Sequence, residues 1–224
     1  MRFLKKNFEI FKKGYDKVFE NFPFMNRPLV LIKLNQLNVV EQIALGSDKD
    51  CGGNSSAQLI FDEKICCGRF HGEIVLNPDG PMYATFRIKK RDFLRPSWDL
   101  SRYRYFSLCA AGDSRTYSID LETTSFLGPD LYRASFTFKS PGKWEIITIP
   151  FNNFCFNRKG VQLSSYHFSE VYRIQAVGIS LLDRHPGPFE LYFRWMQATN
   201  EVYSTSDFPE ISRCEIELHN SIVK

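Results

Sequence analysis

The chain has 224 residues, 43% hydrophobic and 24% charged, a composition that excludes disordered and collagen-like classes. Its formal charge of +4 lies wholly within residues 1–30, where Arg2, Lys5, Lys6, Lys12, Lys13, Lys17 and Arg27 face only Glu9, Asp16 and Glu20. The balanced remainder excludes a nucleic-acid binder, which carries a basic face on its folded domain, and no apolar run nears the ~18 residues of a membrane-spanning helix.

From Phe3 to Phe22 the apolar residues Leu4, Phe8, Phe11, Tyr15, Phe19 and Phe22 recur every three or four positions, with lysines between them. That spacing predicts an amphipathic helix with one apolar face. Phe8, Phe11, Tyr15 and Phe19 are therefore candidate partner-binding residues, for a membrane surface or a groove on another protein. Packing of the helix on its own domain is the plainer alternative. As a mitochondrial presequence it is mediocre, having Lys for Arg and three acids in its first twenty residues.

Pro23 and Pro28 end this segment, and Leu29–Leu34 reads as the first strand. The stretch Gly46–Ser55 is a polar, glycine-bearing turn feeding a strand at Ser56–Phe61. Its Gly52-Gly53 pair belongs to no phosphate-binding fingerprint and reads as a turn that needs positive φ. Cys67–Leu76 and Met82–Lys89 are expected to pair as a hairpin about Asn77-Pro78-Asp79-Gly80. Arg91–Asp99 is a loop carrying Trp98.

Thr116–Glu122 alternates cleanly, with Tyr117, Ile119 and Leu121 on one side and Ser118, Asp120 and Glu122 on the other. That is the pattern of a half-buried strand. A short insert follows, then Trp144–Phe151, apolar on both faces and so expected in the middle of the body. Asn152–Ser169 reads as loop and Val171–Asp183 as strand. In the segment after Pro188, Phe189, Leu191, Phe193 and Trp195 are expected inward. Beyond Glu201 periodicity fades into a tail with one more candidate strand at Cys214–Leu218. About ten short strands without central helices predict an all-β sandwich of jelly-roll type, organised as an extension (1–28), a sandwich (29–200) and a tail (201–224).

The six cysteines include no C-x-x-C, and the four histidines lack metal-ligand spacing, so the thiols read as reduced packing residues and no cofactor is expected. Asp113 and Arg115, at a tight turn, are candidate partner-binding residues, or pair with each other. Trp98, in a loop, is open to a partner or a sugar, whereas Trp144 and Trp195 read as core. Glu145, Asp183 and Glu190 are too scattered to suggest a catalytic carboxylate pair.

Several segments resemble, in order, the complex I intermediate-associated protein 30 family, also called NADH:ubiquinone oxidoreductase complex assembly factor 1. They are Gly46–Ser55, Tyr83–Arg87, Trp98–Tyr103, Gly112–Tyr117, Trp144–Phe151, and Val177–Asp183 followed by Gly187–Leu191. The resemblance implies a galactose-binding-like β-sandwich. It also implies a non-enzymatic assembly factor in the mitochondrial matrix, associated with the inner membrane. Its partners would be complex I membrane-arm subunits and other complex I assembly factors. The family turn is usually Gly-Asp-Gly-Arg, and Ser114 replaces its second glycine. The alternative on the same fold is a carbohydrate-binding module.

Overall fold

Alternation in the sequence becomes two antiparallel sheets laid face to face. The computed structural model describes residues 27–33, 43–62, 65–90, 97–125, 128–158, 161–163 and 173–208. The candidate helix at Phe3–Phe22 and the candidate strand at Cys214–Leu218 lie outside them. In chain order the strands are β1 (Leu29–Lys33), β2 (Ile43–Ser47), β3 (Ser56–Asp62), β4 (Cys67–Ile74), β5 (Ala84–Lys89), β6 (Tyr105–Gly112), β7 (Tyr117–Ser125), β8 (Gly128–Phe136), β9 (Glu145–Pro150), β10 (Cys155–Arg158), β11 (Val161–Leu163), β12 (Ile174–Leu181) and β13 (Gly187–Thr199). The first sheet runs β3-β4-β13-β6-β9, with β1 also paired to β13; the second runs β11-β10-β8-β7-β12-β5-β2.

The inner faces are filled by the residues that alternation selects. Tyr117, Ile119 and Leu121 of β7 meet Phe70, Leu108, Leu191 and Phe193 of the first sheet, all fully buried. Phenylalanine holds the two sheets together. The Phe86 ring stacks on Phe193 at 5.1 Å and takes the edge of Phe70 at 5.0 Å, and Phe70 meets Phe189 at 5.0 Å. Such pairs add about 0.5–1.5 kcal/mol each beyond simple burial.

Five expectations are corrected. The Asn77–Gly80 turn closes no hairpin: β4 pairs with β3 and β13, β5 with β2 and β12, so this turn crosses between sheets. The insert after β7 contains β8, which forms the real hairpin with β7. Asn152–Ser169 is not all loop, since β10 and β11 pair within it. The segment after Trp144 is no central strand: among the described residues β9 ends its sheet, and its two apolar faces meet two different clusters. Trp195 does not point into the main core either. A bulge between Phe193 and Trp195 in the ladder with β6 shifts the alternation by one residue. Met196 and Ala198 then continue inward while Trp195 turns outward, as a bulge requires.

Candidate functional site

Three constructions use the polar residues that the sequence singles out, and each starts from a turn between the two sheets or from a sheet's outer face. The first is Gly46–Ser55, which carries the chain from β2 to β3. Asp48 is fully buried; its carboxylate accepts the Ser55 N–H at 2.8 Å and the Ser55 hydroxyl. Ser55 Oγ in turn accepts the Val75 N–H at 3.0 Å, tying the turn to the end of β4. Gly52 has φ +85°, as expected of this turn, and a Cβ on Gly53 would lie 2.3 Å from the Asp48 carboxylate. The motif is a self-closing turn.

The second joins β6, β7, β12 and β13. Asp113 is 4% exposed and accepts the N–H of Glu190 at 2.8 Å, the N–H of Arg115 at 2.9 Å and the Tyr117 hydroxyl at 3.0 Å. Burial raises its carboxyl above the usual range, and these hydrogen bonds only partly offset that. Arg115 reaches away from Asp113. It forms a two-pronged pair with Asp183, Nε to Oδ2 at 2.9 Å and Nη2 to Oδ1 at 2.7 Å. Its Nη1 donates to the carbonyls of Gly187 at 3.0 Å and Pro188 at 3.1 Å, and its Nη2 also to that of His185. Burial pushes the Asp183 carboxyl up, but the Arg115 contacts and the His185 N–H outweigh it and hold it below its ordinary value. Arg115 thus closes the β12–β13 connection. Ser114 is exposed and has no positive φ, so the serine suits this turn where the family usually has glycine.

The third lies on the outer face of the second sheet, where alternation predicts solvent. Asp120 is 1% exposed there, flanked by buried Ser118, Glu122 and Ser180. Arg133, directly opposite Asp120 on β8, grips both its oxygens at 2.6 and 2.9 Å, and the Ser180 hydroxyl donates to it as well. Ser180 meets Thr85 Oγ1 at 2.7 Å, and Ser118 meets Ser135 at 3.1 Å. Arg87 of β5 reaches across β12 to Glu122 of β7 at 2.9 Å. Gly178 stands between, opposite both Arg87 and Asp120; a Cβ there would lie 2.1 Å from the Phe86 carbonyl. Sequence reasoning missed this network. Its signal is the pairing of Arg133 and Ser135 with the Asp120 and Ser118 positions, visible only once β8 is recognised.

The outer face of the first sheet holds a smaller apolar cluster of Cys67, Cys109, Ala111, Trp144 and Tyr192. Burial pushes the Cys67 and Cys109 thiols up to about 12, so both are protonated at neutral pH and inert as nucleophiles. The Arg194 guanidinium lies 4.5 Å over the Trp144 ring. Glu190, beside the cluster, takes the Arg69 side chain at 2.6 Å and the Tyr192 hydroxyl at 2.7 Å. It faces away from Asp113, to which it offers only its backbone. Glu145 is held by the backbone of Lys139 and Ser140. Asp183, Glu190 and Glu145 thus have three separate sets of partners.

Trp98 is 9% exposed and belongs to the main core, exchanging backbone hydrogen bonds of 2.7 and 3.1 Å with Ile174. Lys90 Nζ lies over its ring at 5.8 Å. Phe8, Phe11, Tyr15 and Phe19 lie outside the described residues. Among the described residues no three His, Cys, Asp or Glu gather as a metal site, and no helix is long and apolar enough to cross a membrane.

With this geometry in view, the likeness to known proteins is specific. Residues 32–193 match the family described as Complex I intermediate-associated protein 30 (CIA30). The Neurospora crassa protein named "Complex I intermediate-associated protein 30, mitochondrial" is 28% identical over 217 residues, covering 83% of this chain and 76% of its own. The Drosophila melanogaster protein of that name is 24% identical over 209 residues, covering 85% and 71%. The Family 11 Carbohydrate-Binding Module of the cellulase Lic26A-Cel5E of Clostridium thermocellum superposes with a TM-score of 0.57 at 14% identity, over 80% of this chain and 97% of that one. At that identity the likeness is one of fold, a galactose-binding-like sandwich. The match over 32–193 spans most of the sequence and takes in the three polar constructions described above, and the chain belongs to the complex I intermediate-associated protein 30 family.

Proposed function

We propose that this chain is a non-enzymatic assembly factor of mitochondrial respiratory complex I. In this reading it works on the matrix side of the inner membrane, with other assembly factors, and holds membrane-arm intermediates until they are built into the enzyme. The observation that carries the reading is the match of residues 32–193 to a family named for a complex I intermediate. The internal commitment of the polar groups supports it. Asp48, Asp113, Asp120, Glu122 and Glu190 are buried and each is tied to a hydrogen-bonding partner within the sandwich. Groups so engaged build a rigid body, and binding falls to the surfaces it presents.

In this account Asp113, Arg115 and Trp98 serve partners by setting the shape of the loops around them. Phe8, Phe11, Tyr15 and Phe19 supply a separate attachment, to the membrane surface or to a partner's groove. A carbohydrate-binding role on the same fold calls for exposed aromatic rings. Trp98 and Trp144 are buried, and Trp195 is half-buried against Phe208, which favours the assembly role.

The test is native separation of mildly solubilised mitochondria, with this protein and complex I subunits followed by mass spectrometry. Co-migration with partial membrane-arm assemblies is expected. Migration solely as a free monomer would overturn the proposal.

A further inference from the structure

Among the described residues, one edge of the first sheet is open. Among the described residues β9 has β6 on one side and no strand on the other. In an antiparallel strand, alternate residues turn both N–H and C=O to the same side. The Ile146 N–H turns away from β6, since it donates to Thr205 Oγ1 at 3.3 Å. Thr148, two residues on, therefore also presents its N–H and C=O outward, and neither meets a backbone partner there among the described residues. Pro150, next in the series, has no N–H to offer.

Along this edge runs an open groove of about 530 Å³, with Lys139, Lys143, Trp144 and Thr148 among its lining residues. The Trp144 side chain is buried, and its indole N–H has no acceptor among the described residues. Both lysines are exposed. The groove's own carboxylate is already engaged, because Glu145 accepts the N–H of Lys139 at 3.2 Å and of Ser140 at 2.5 Å. What the groove offers a ligand is the outward N–H and C=O of Thr148 and two ammonium groups, with no free carboxylate among its described lining residues. Lysine and proline commonly guard a sheet edge against self-association. That role does not account for a buried, unpartnered indole N–H beside the open backbone.

We propose that this groove receives an extended, carboxylate-bearing segment of a partner protein. The segment pairs with β9 at Thr148 and sets its acidic side chains against Lys139 and Lys143, in the manner of strand addition to a sheet edge. The inference rests on the reading of the chain as a protein-binding scaffold, and it names the surface and the chemistry of the segment bound.

The full-length protein, labelled with 15N, is titrated with a capped seven-residue peptide of alternating Thr and Val ending in two Glu, and with the same peptide ending in two Gln. The Trp144 indole and Thr148 amide resonances are expected to move together and saturate with the Glu peptide, with the Gln peptide binding about tenfold more weakly. The double charge reversal K139E/K143E removes that preference. Thr148→Pro, which deletes an outward N–H that no ladder bond uses, weakens the Glu peptide by about fivefold. Equal binding of both peptides, or no movement of these two resonances at millimolar peptide, overturns the proposal. Either result leaves the scaffold reading to the native separation, which does not depend on this groove.

Discussion

Arg115 uses all five of its N–H donors within the fold: two on Asp183 and one each on the carbonyls of His185, Gly187 and Pro188. Lysine keeps the charge but offers three donors on a point, so it satisfies only part of this set. Arg115→Lys should therefore lower stability by about 1–2 kcal/mol, and Arg115→Ala by about 3–5 kcal/mol because it strands Asp183 in a half-buried site. Denaturant midpoints measure both, and an Arg115→Lys protein as stable as the parent would contradict the account. The two aspartates of this region respond to pH in opposite senses. The lowered folded pKa of Asp183 makes its contribution present above the unfolded value of ~3.9 and lost as pH falls through the folded one. The raised folded pKa of Asp113 gives stability that is full below the unfolded value and lost as pH rises through the folded one. Asp183→Asn should then flatten the loss of stability below about pH 4 relative to the parent. Parallel pH profiles for the two proteins would contradict the assignment.

The strands differ in how much substitution they bear, and proline separates edge from centre. Ile179 lies in β12, paired with β5 on one side and β7 on the other, so Ile179→Pro loses a ladder hydrogen bond and should cost more than about 3 kcal/mol. Thr148→Pro on the outward side of β9 should cost less than about 1 kcal/mol. Thermal melts compare them, and equal costs would mean that β9 is not an edge. At the β2–β3 turn, Gly53→Ala drives a Cβ into the buried Asp48 carboxylate and should destabilise by about 1–3 kcal/mol.

Alternation made the strands and most of the core legible: Tyr117, Ile119, Leu121, Phe189, Leu191 and Phe193 all point inward as their spacing requires. What it could not supply was the choice of sheet. A turn such as Asn77–Gly80 looks the same whether it closes a hairpin or crosses between sheets, because both reverse the chain with the same residues. The bulge at Phe193/Trp195 was equally silent, since one extra residue shifts every later side chain without altering composition. Burial of Asp120 was hidden for a third reason. A carboxylate on a strand's polar face looks solvated until an arginine opposite it, here Arg133 on a strand that Gly128 and Pro129 disguise as loop, comes into register.

At the scale of the molecule, the polar motifs within the family-matched residues 32–193 close turns and lock register, so the sandwich is a rigid carrier of surfaces. The segment Phe3–Phe22, whose spacing predicts an amphipathic helix, acts separately in this account. Deleting residues 1–22 should leave the melting transition of the sandwich unchanged while lowering the fraction recovered with membranes or large assemblies. Unfolding of the truncated protein would instead make that segment part of the core. The central claim, that the chain serves complex I assembly through its surfaces, is tested most directly by depleting it and following newly made complex I subunits on native gels. The account predicts that membrane-arm intermediates stall, and that Asp113→Asn, if folded, restores their progress. Complex I that assembles at the normal rate without this protein would contradict it.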